Sequence, residues 1–265
     1  MIPATEQKIS VEQRGHVLLI GLNRPAKRNA FDVQMLEDLA AAYTRLEDDE
    51  SVRCGVLFAE GEMFTAGLDL ANVAPKVIES GILKYAEGIV DPLNLQGTRS
   101  RTKPIVTAVH GKCLTLGIEL LLAADIRIAS ENATFAQIEI GRGIFPFGGA
   151  TLRFPETAGW GNAMRWLLTG DEFDAKEALR IGLVQEITEH RKHIEKAIEI
   201  AERISRQAPL GVRATIRSAR TAQTEGFNKA VEDLTPQILE LFRSEDAREG
   251  VQSFLERREG NFSGR

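Results

Sequence analysis

Two glutamates stand alone among apolar neighbours: Glu119, between Ile118 and Leu120, and Glu139, between Ile138 and Ile140. A bare carboxylate is costly to bury, so burial pushes such a group toward neutrality. A carboxyl that titrates near neutral pH suits proton transfer. An acid in this setting can also be structural, paired to an arginine or bonded to helix N–H groups. Two glycine-bearing turns offer the complementary chemistry, Ala66-Gly67-Leu68 and Thr115-Leu116-Gly117. Each follows an apolar run and opens a helix-prone stretch, which leaves main-chain N–H groups without internal partners and favours an anion or developing oxyanion. Two such donors would hold an enolate or a tetrahedral oxyanion, one donor contributing ~3 kcal/mol. Ordinary strand-to-helix turns have the same composition.

Other reactive groupings carry less. Cys113 lies three residues after His110, a nucleophile–base spacing, but it and Cys54 sit in or beside apolar runs and read as packed thiols. His190 and His193 have metal-like spacing within a charged stretch and read as a solvated helix start; no metal site is expected. The chain has no G-x-S-x-G, P-loop or complete G-x-G-x-x-G. Arg99, Arg101 and Lys103 form the tightest basic cluster, without interleaved aromatics, and read as a solvated helix end or a phosphate contact. The formal net charge of −5 argues against nucleic-acid or anionic-membrane partners. With no apolar run of membrane-spanning length and no signal-like h-region over Met1 to Ser10, a cytoplasmic protein is expected.

The elements that must position these groups follow from periodicity. Val17 to Leu22, Cys54 to Ala59 and Ile105 to Val109 are apolar runs of strand length. Asp32 is an N-cap candidate for a helix that buries Val33, Leu36, Leu39, Ala40, Tyr43 and Leu46. Residues 71–103 show little pattern. A helix is expected from about Gly117 to Ala124, short extended pieces at 125–129 and 134–136, helices over 161–168 and 175–180, and a strand at 183–187. The strand–strand–helix rhythm carries no sequence self-similarity. Beyond about Thr188 only amphipathic helices follow, so the chain divides into an α/β core, 1–187, and a helical region, 188–265.

Taken in order, the motifs resemble the crotonases, the enoyl-CoA hydratase/isomerase superfamily, over nearly the whole chain. The carriers are Leu22-Asn23-Arg24-Pro25 with Lys27 to Ala30, Phe64 to Leu70, Lys103 to Gly111, Glu119, Ala124-Asp125-Ile126, and Phe135 with Gln137-Ile138-Glu139. Gly143 to Pro146, Leu168-Thr169-Gly170, Gly182-Leu183-Val184 and the end from Ser244 to Phe262 complete the set. The resemblance implies a spiral of ββα units with a C-terminal helical trimerisation region, assembled as a trimer or a dimer of trimers. It implies an acyl-CoA substrate, with no cofactor beyond the CoA that substrate carries. The thioester carbonyl would sit on the N–H groups of Leu68 and Leu116, Glu119 would activate water, and Glu139 would exchange the α-proton. Lys27, Arg28, Ala30, Ala66 and Asp69 would line the CoA path, Phe147 the acyl site, and Phe254 would reach a neighbouring subunit's ligand. The glutamate pair favours a hydratase; an isomerase, a hydrolase or decarboxylase of the same fold, and a non-catalytic acyl-CoA binder are the alternatives. Leu116 and Phe147 replace glycines usual in the family, and are expected to narrow the φ range at residue 116 and reshape the acyl site.

Overall fold

The computed structural model describes residues 7–80, 85–95 and 99–265. A hairpin of β1 (Ile9–Arg14) and β2 (Val17–Leu22) opens the fold. β1 carries no apolar run because it is an edge strand, exposed toward its Arg14 end, while β2 is buried throughout. Helix α1 (Val33–Asp48) starts at Asp32, whose side chain accepts the Met35 N–H at 2.9 Å, the expected N-cap. There follow β3 (Cys54–Ala59), α2 (Leu70–Ser80), β4 (Ile105–Val109), β5 (Lys112–Leu114), α3 (Leu116–Ala123), β6 (Ile126–Ser130) and β7 (Thr134–Ala136). After them come α4 (Ala150–Ala158), α5 (Trp160–Thr169), β8 (Phe173–Asp174), α6 (Ala175–Arg180), β9 (Glu186–Thr188) and α7 (His193–Ser205).

The large sheet has the order β1-β2-β3-β4-β6-β9 and is parallel except for the first pair. Its central strands read as unbroken apolar runs because both faces are covered. Leu18, Ile20 and Leu57 face Leu39, Leu46 and Ile118; Val17, Val56, Val106 and Ile128 face Ala197 and Ala201 of α7. Helix α7 thus lies beyond residue 188 in sequence yet closes the core of the sheet.

A second sheet, β5-β7-β8, is extended by isolated parallel bridges from Thr65 to Cys113 and from Phe31 to Leu68. Successive circuits of the chain therefore place one strand in the large sheet, a short extended piece in the small one, and then a helix. Leu68 lies in the extended piece of the second circuit, Leu116 and Glu119 open the helix of the third, and Glu139 follows the short strand of the fourth. Chain positions far apart become neighbours because they occupy the same place in stacked circuits.

Helices α8 (Pro209–Thr224), α9 (Phe227–Phe242) and α10 (Glu245–Glu256) complete the fold. Within the basic cluster read as a solvated helix end or a phosphate contact, Arg101 is instead a buried tether for α8. Arg101 is only 2% exposed and pairs with Asp125 at 2.6 Å. Arg220 of α8 donates to the Arg101 carbonyl and meets the same carboxylate at 3.4 Å. Lys103 is also buried, its Nζ donating to the Asp49 carbonyl at 2.7 Å. His193, read as part of a solvated helix start, is buried against His110, with Nε2 to Nδ1 at 3.1 Å. Among the described residues no helix is long and apolar enough to cross a membrane. No three His, Cys, Asp or Glu side chains among them are grouped to hold a metal ion.

Candidate active site

The two glycine turns and the two glutamates meet in one pocket of about 180 Å³, lined by Ala66, Leu68, Thr115, Leu116, Glu119 and Glu139 together with Leu70, Ile138, Arg142, Ile144 and Phe147. Among the described residues neither the Leu68 N–H nor the Leu116 N–H is spent in a hydrogen bond. Their surroundings are pinned. Gly67 N–H bonds Thr65 Oγ1 at 3.0 Å, and that hydroxyl donates to the Asn29 carbonyl at 2.6 Å. The Thr115 carbonyl accepts the Ile118 and Glu119 N–H groups. Two unspent amides on residues that line one pocket are what an oxyanion requires.

The leucine at 116 fits the narrower φ range expected of it. Leu116 keeps a negative φ as the first residue of α3, and its side chain, 4% exposed, is part of the apolar core while also lining the pocket. The unusual backbone falls one residue earlier, on Thr115, at φ +50 and ψ −113. A β-branched residue rarely adopts such a conformation, and strain of this kind costs of order 1–3 kcal/mol.

The two carboxyls are buried, 4% and 7% exposed for Glu119 and Glu139. Burial is the largest influence on each and pushes both up to about 7. Opposing influences differ. Glu119 Oε1 accepts the Gly148 N–H at 2.6 Å and the Ala150 N–H at 3.4 Å, at the start of α4, and the Arg153 guanidinium also favours its ionised form. Gly148 is required there, since a Cβ would collide with the Glu119 carboxylate. Glu139 is raised further by the Glu119 charge beside it. Gln137, oriented with its amide nitrogen toward Glu139, donates to both carboxylate oxygens at 3.1 Å and to the Thr115 carbonyl at 3.3 Å. The Gly148 and Ala150 N–H groups and Arg153 favour the anion on Glu119, while Gln137 favours the anion on Glu139 and the neighbouring Glu119 charge opposes it.

The remaining candidates fall around this centre. Phe147 lines the pocket mouth at 38% exposure. Lys27, Arg28, Ala30 and Asp69 do not line it; the first three belong to the loop behind Ala66, whose N–H bonds the Arg28 carbonyl at 2.9 Å, and Asp69 follows Leu68 just before α2. Asp69 meets Arg24 at 3.4 Å. Phe254, on α10, is 82% exposed and outside this chain's pocket. Cys113 is fully buried with its thiol pushed up by desolvation, and His110 bonds the Gly61 carbonyl and His193, so no nucleophile–base pair exists. Gln137, Thr115, Gly148, Arg142 and Arg153 belong to the site and were not singled out from sequence as chemical groups. Gln137 alone had a signal, a polar side chain two residues before Glu139 in an otherwise apolar stretch.

The family model for enoyl-CoA hydratase/isomerase matches residues 12–265. The chain is 36% identical over 257 residues to the enoyl-CoA hydratase EchA19 of Mycobacterium tuberculosis, covering 96% of each chain. It is 31% identical over 257 residues to a crotonyl-CoA hydratase of Syntrophomonas wolfei, covering 97% of this chain and 98% of that one. Among solved structures, a "probable enoyl-CoA hydratase/isomerase" from Mycobacterium abscessus superposes with a TM-score of 0.94 at 58% identity, covering 98% of this chain and all of the other.

Proposed function

The chain belongs to the enoyl-CoA hydratase/isomerase family, and from that premise we propose that it adds water across the 2,3 double bond of an enoyl-CoA thioester. The single observation that carries this reading is the meeting of two unspent main-chain amides and two buried carboxyls in one pocket. The thioester oxygen lies on the N–H groups of Leu68 and Leu116. Glu119, ionised, takes a proton from water as the water oxygen bonds C3. The electrons of the double bond pass into the thioester enolate, whose charge the two amides hold. Glu139, protonated, delivers its proton to C2, and a proton returned from Glu119 to Glu139 through solvent restores the starting state. No cofactor beyond the CoA of the substrate enters this scheme, and the Lys27–Arg28 loop beside Ala66 lies where the CoA arm would approach. Loss of the conjugated-thioester absorbance on adding crotonyl-CoA, with a product heavier by one water, is the expected result. Unchanged absorbance with crotonyl-CoA and with longer enoyl-CoA esters defeats the reading; an absorbance change without added water makes the enzyme an isomerase.

Two further outcomes follow from the geometry. The pair of carboxyls near neutrality gives kcat/KM a bell-shaped pH profile, falling on the acid side when Glu119 is protonated and on the alkaline side when Glu139 loses its proton. Arg153 favours the Glu119 anion, so Arg153→Met raises the Glu119 pKa and moves the acid limb to higher pH, while Arg153→Lys restores part of the shift. An acid limb that does not move in Arg153→Met removes Arg153 from this role.

The assembly proposed is a trimer or a dimer of trimers. Phe227, Leu234, Ile238 and Phe242 are exposed at helical spacing on α9, with Phe254 and Leu255 exposed on α10. An apolar stripe of this kind is unfavourable in water and marks an association surface. Light scattering after gel filtration is expected to give three or six chains, and Ile238→Asp with Phe242→Asp a smaller species; a wild-type monomer at micromolar concentration contradicts the proposal.

A further inference from the structure

The pocket carries one charged side chain that the proposed reaction does not use. Arg142 ends the 3-10 turn Glu139–Arg142, which Gly143 closes in the left-handed conformation at φ +75. It lines the same pocket as the two glutamates, whose remaining wall is mostly apolar: Leu68, Leu70, Leu116, Ile138, Ile144 and Phe147. Among the described residues the Arg142 guanidinium takes part in no ion pair and no side-chain hydrogen bond. It is not the counter-ion of Glu139, whose titration is governed by burial and by Glu119.

Its place in the fold gives it a direction. In the small sheet Thr65 bridges to β5 and β5 pairs with β7. The Ala66–Leu68 turn therefore flanks Leu116 on one side and the Glu139–Arg142 turn flanks it on the other. The basic loop at Lys27 and Arg28 adjoins the Ala66 side. A thioester held between the Leu68 and Leu116 amides, with its CoA arm toward that loop, points its acyl chain past the glutamates to the Arg142 wall. Arg142 is an exposed residue at the edge of this pocket, whose volume of about 180 Å³ accommodates a short chain with its end toward that edge.

We propose that Arg142 selects the substrate by receiving an anionic group at the distal end of the acyl chain, so that the preferred substrate is a short enoyl-CoA bearing a terminal carboxylate. The inference rests on the hydratase reading above. Guanidinium and carboxylate match bidentately, and an apolar wall without a cation would reject a charged chain end. A charge-assisted hydrogen bond contributes about 1.5–3 kcal/mol, or roughly 10- to 150-fold in kcat/KM.

The test compares 2-hexenedioyl-CoA with its terminal methyl ester, of the same length but uncharged, on wild type, Arg142→Met and Arg142→Lys. Wild type is expected to prefer the acid over the ester by about tenfold or more, Arg142→Met to lose that preference, and Arg142→Lys to keep part of it. The same pair as N-acetylcysteamine thioesters, which lack the CoA phosphates, is expected to keep the same Arg142-dependent ratio. An unchanged acid-to-ester ratio in Arg142→Met overturns the proposal and leaves a solvated arginine. Equal loss for both CoA esters, with the N-acetylcysteamine pair unaffected, overturns it in favour of a CoA phosphate contact. Calorimetric binding of adipyl-CoA and its methyl ester separates this failure from that of the hydratase reading. If no enoyl ester is turned over, Arg142-dependent preference for adipyl-CoA still supports the selectivity, and equal binding of the two refutes it.

Discussion

Glu139→Gln is expected to lower kcat for crotonyl-CoA hydration by about 10²- to 10⁴-fold, the range general acid–base groups contribute, with KM changed far less. Gln keeps the shape of the acid and can accept from Gln137 but holds no transferable proton. Because burial raises the Glu139 carboxyl to about 7, the substitution also removes a group that the fold disfavours when ionised. The folded protein is therefore expected to melt no lower at pH 8 than wild type, which separates lost chemistry from lost structure. Glu119→Gln should reduce hydration comparably, since its amide oxygen still accepts the Gly148 N–H but no longer takes a proton from water. A second readout distinguishes the two. Exchange of the α-protons of butyryl-CoA in deuterium oxide should be lost in Glu139→Gln and retained, in larger part, in Glu119→Gln. Hydration within tenfold of wild type in Glu139→Gln would remove that residue from the chemistry, and the reverse exchange pattern would swap the two roles.

Gly67→Ala is expected to cost about 10²- to 10³-fold in kcat, as much as losing an oxyanion donor. Gly67 has φ +92, and a Cβ there would collide with Thr115 Oγ1 and approach Thr115 Cβ to 3.1 Å. One methyl group thus disturbs both donor turns, because Leu68 follows Gly67 and Leu116 follows Thr115. A drop in melting temperature accompanies any alanine forced to positive φ. Gly15→Ala serves as the control: at φ +56 in the β1–β2 hairpin it shares the backbone cost, yet nothing lies within 4 Å of its Cβ. It should lower the melting temperature and leave kcat unchanged. Equal kcat in the two variants would mean that the Leu68 and Leu116 amides do not hold the reacting oxygen.

The parts of the fold legible in the sequence were those whose cause is local. β2, β3 and β4 read as apolar runs because both faces of a parallel sheet are covered, and α1 announced its start through Asp32. Edge strand β1 left no such trace. The errors were long-range. Arg101 lies 24 residues from the carboxylate that buries it, and His193 lies 83 residues from His110. Nothing beside either residue reports its partner. The site divides the same way. Both glutamates and both turns are visible because each is an anomaly within its own stretch. The donors that tell Glu119 from Glu139 come from other circuits, Gly148 reaching across 29 residues, and the unusual backbone conformation falls on Thr115, one residue before Leu116.

The two groups that would hold the reacting oxygen belong to the peptide backbone, whereas the surfaces that touch the rest of an acyl chain, Leu70, Ile144, Phe147 and Arg142 among them, are side chains. Replacing any of the latter leaves the amides where the stacked circuits put them. Reaction type and substrate range are therefore inherited on different atoms, and descendants of this chain can acquire new diets by point substitution without relearning how to stabilise a thioester enolate.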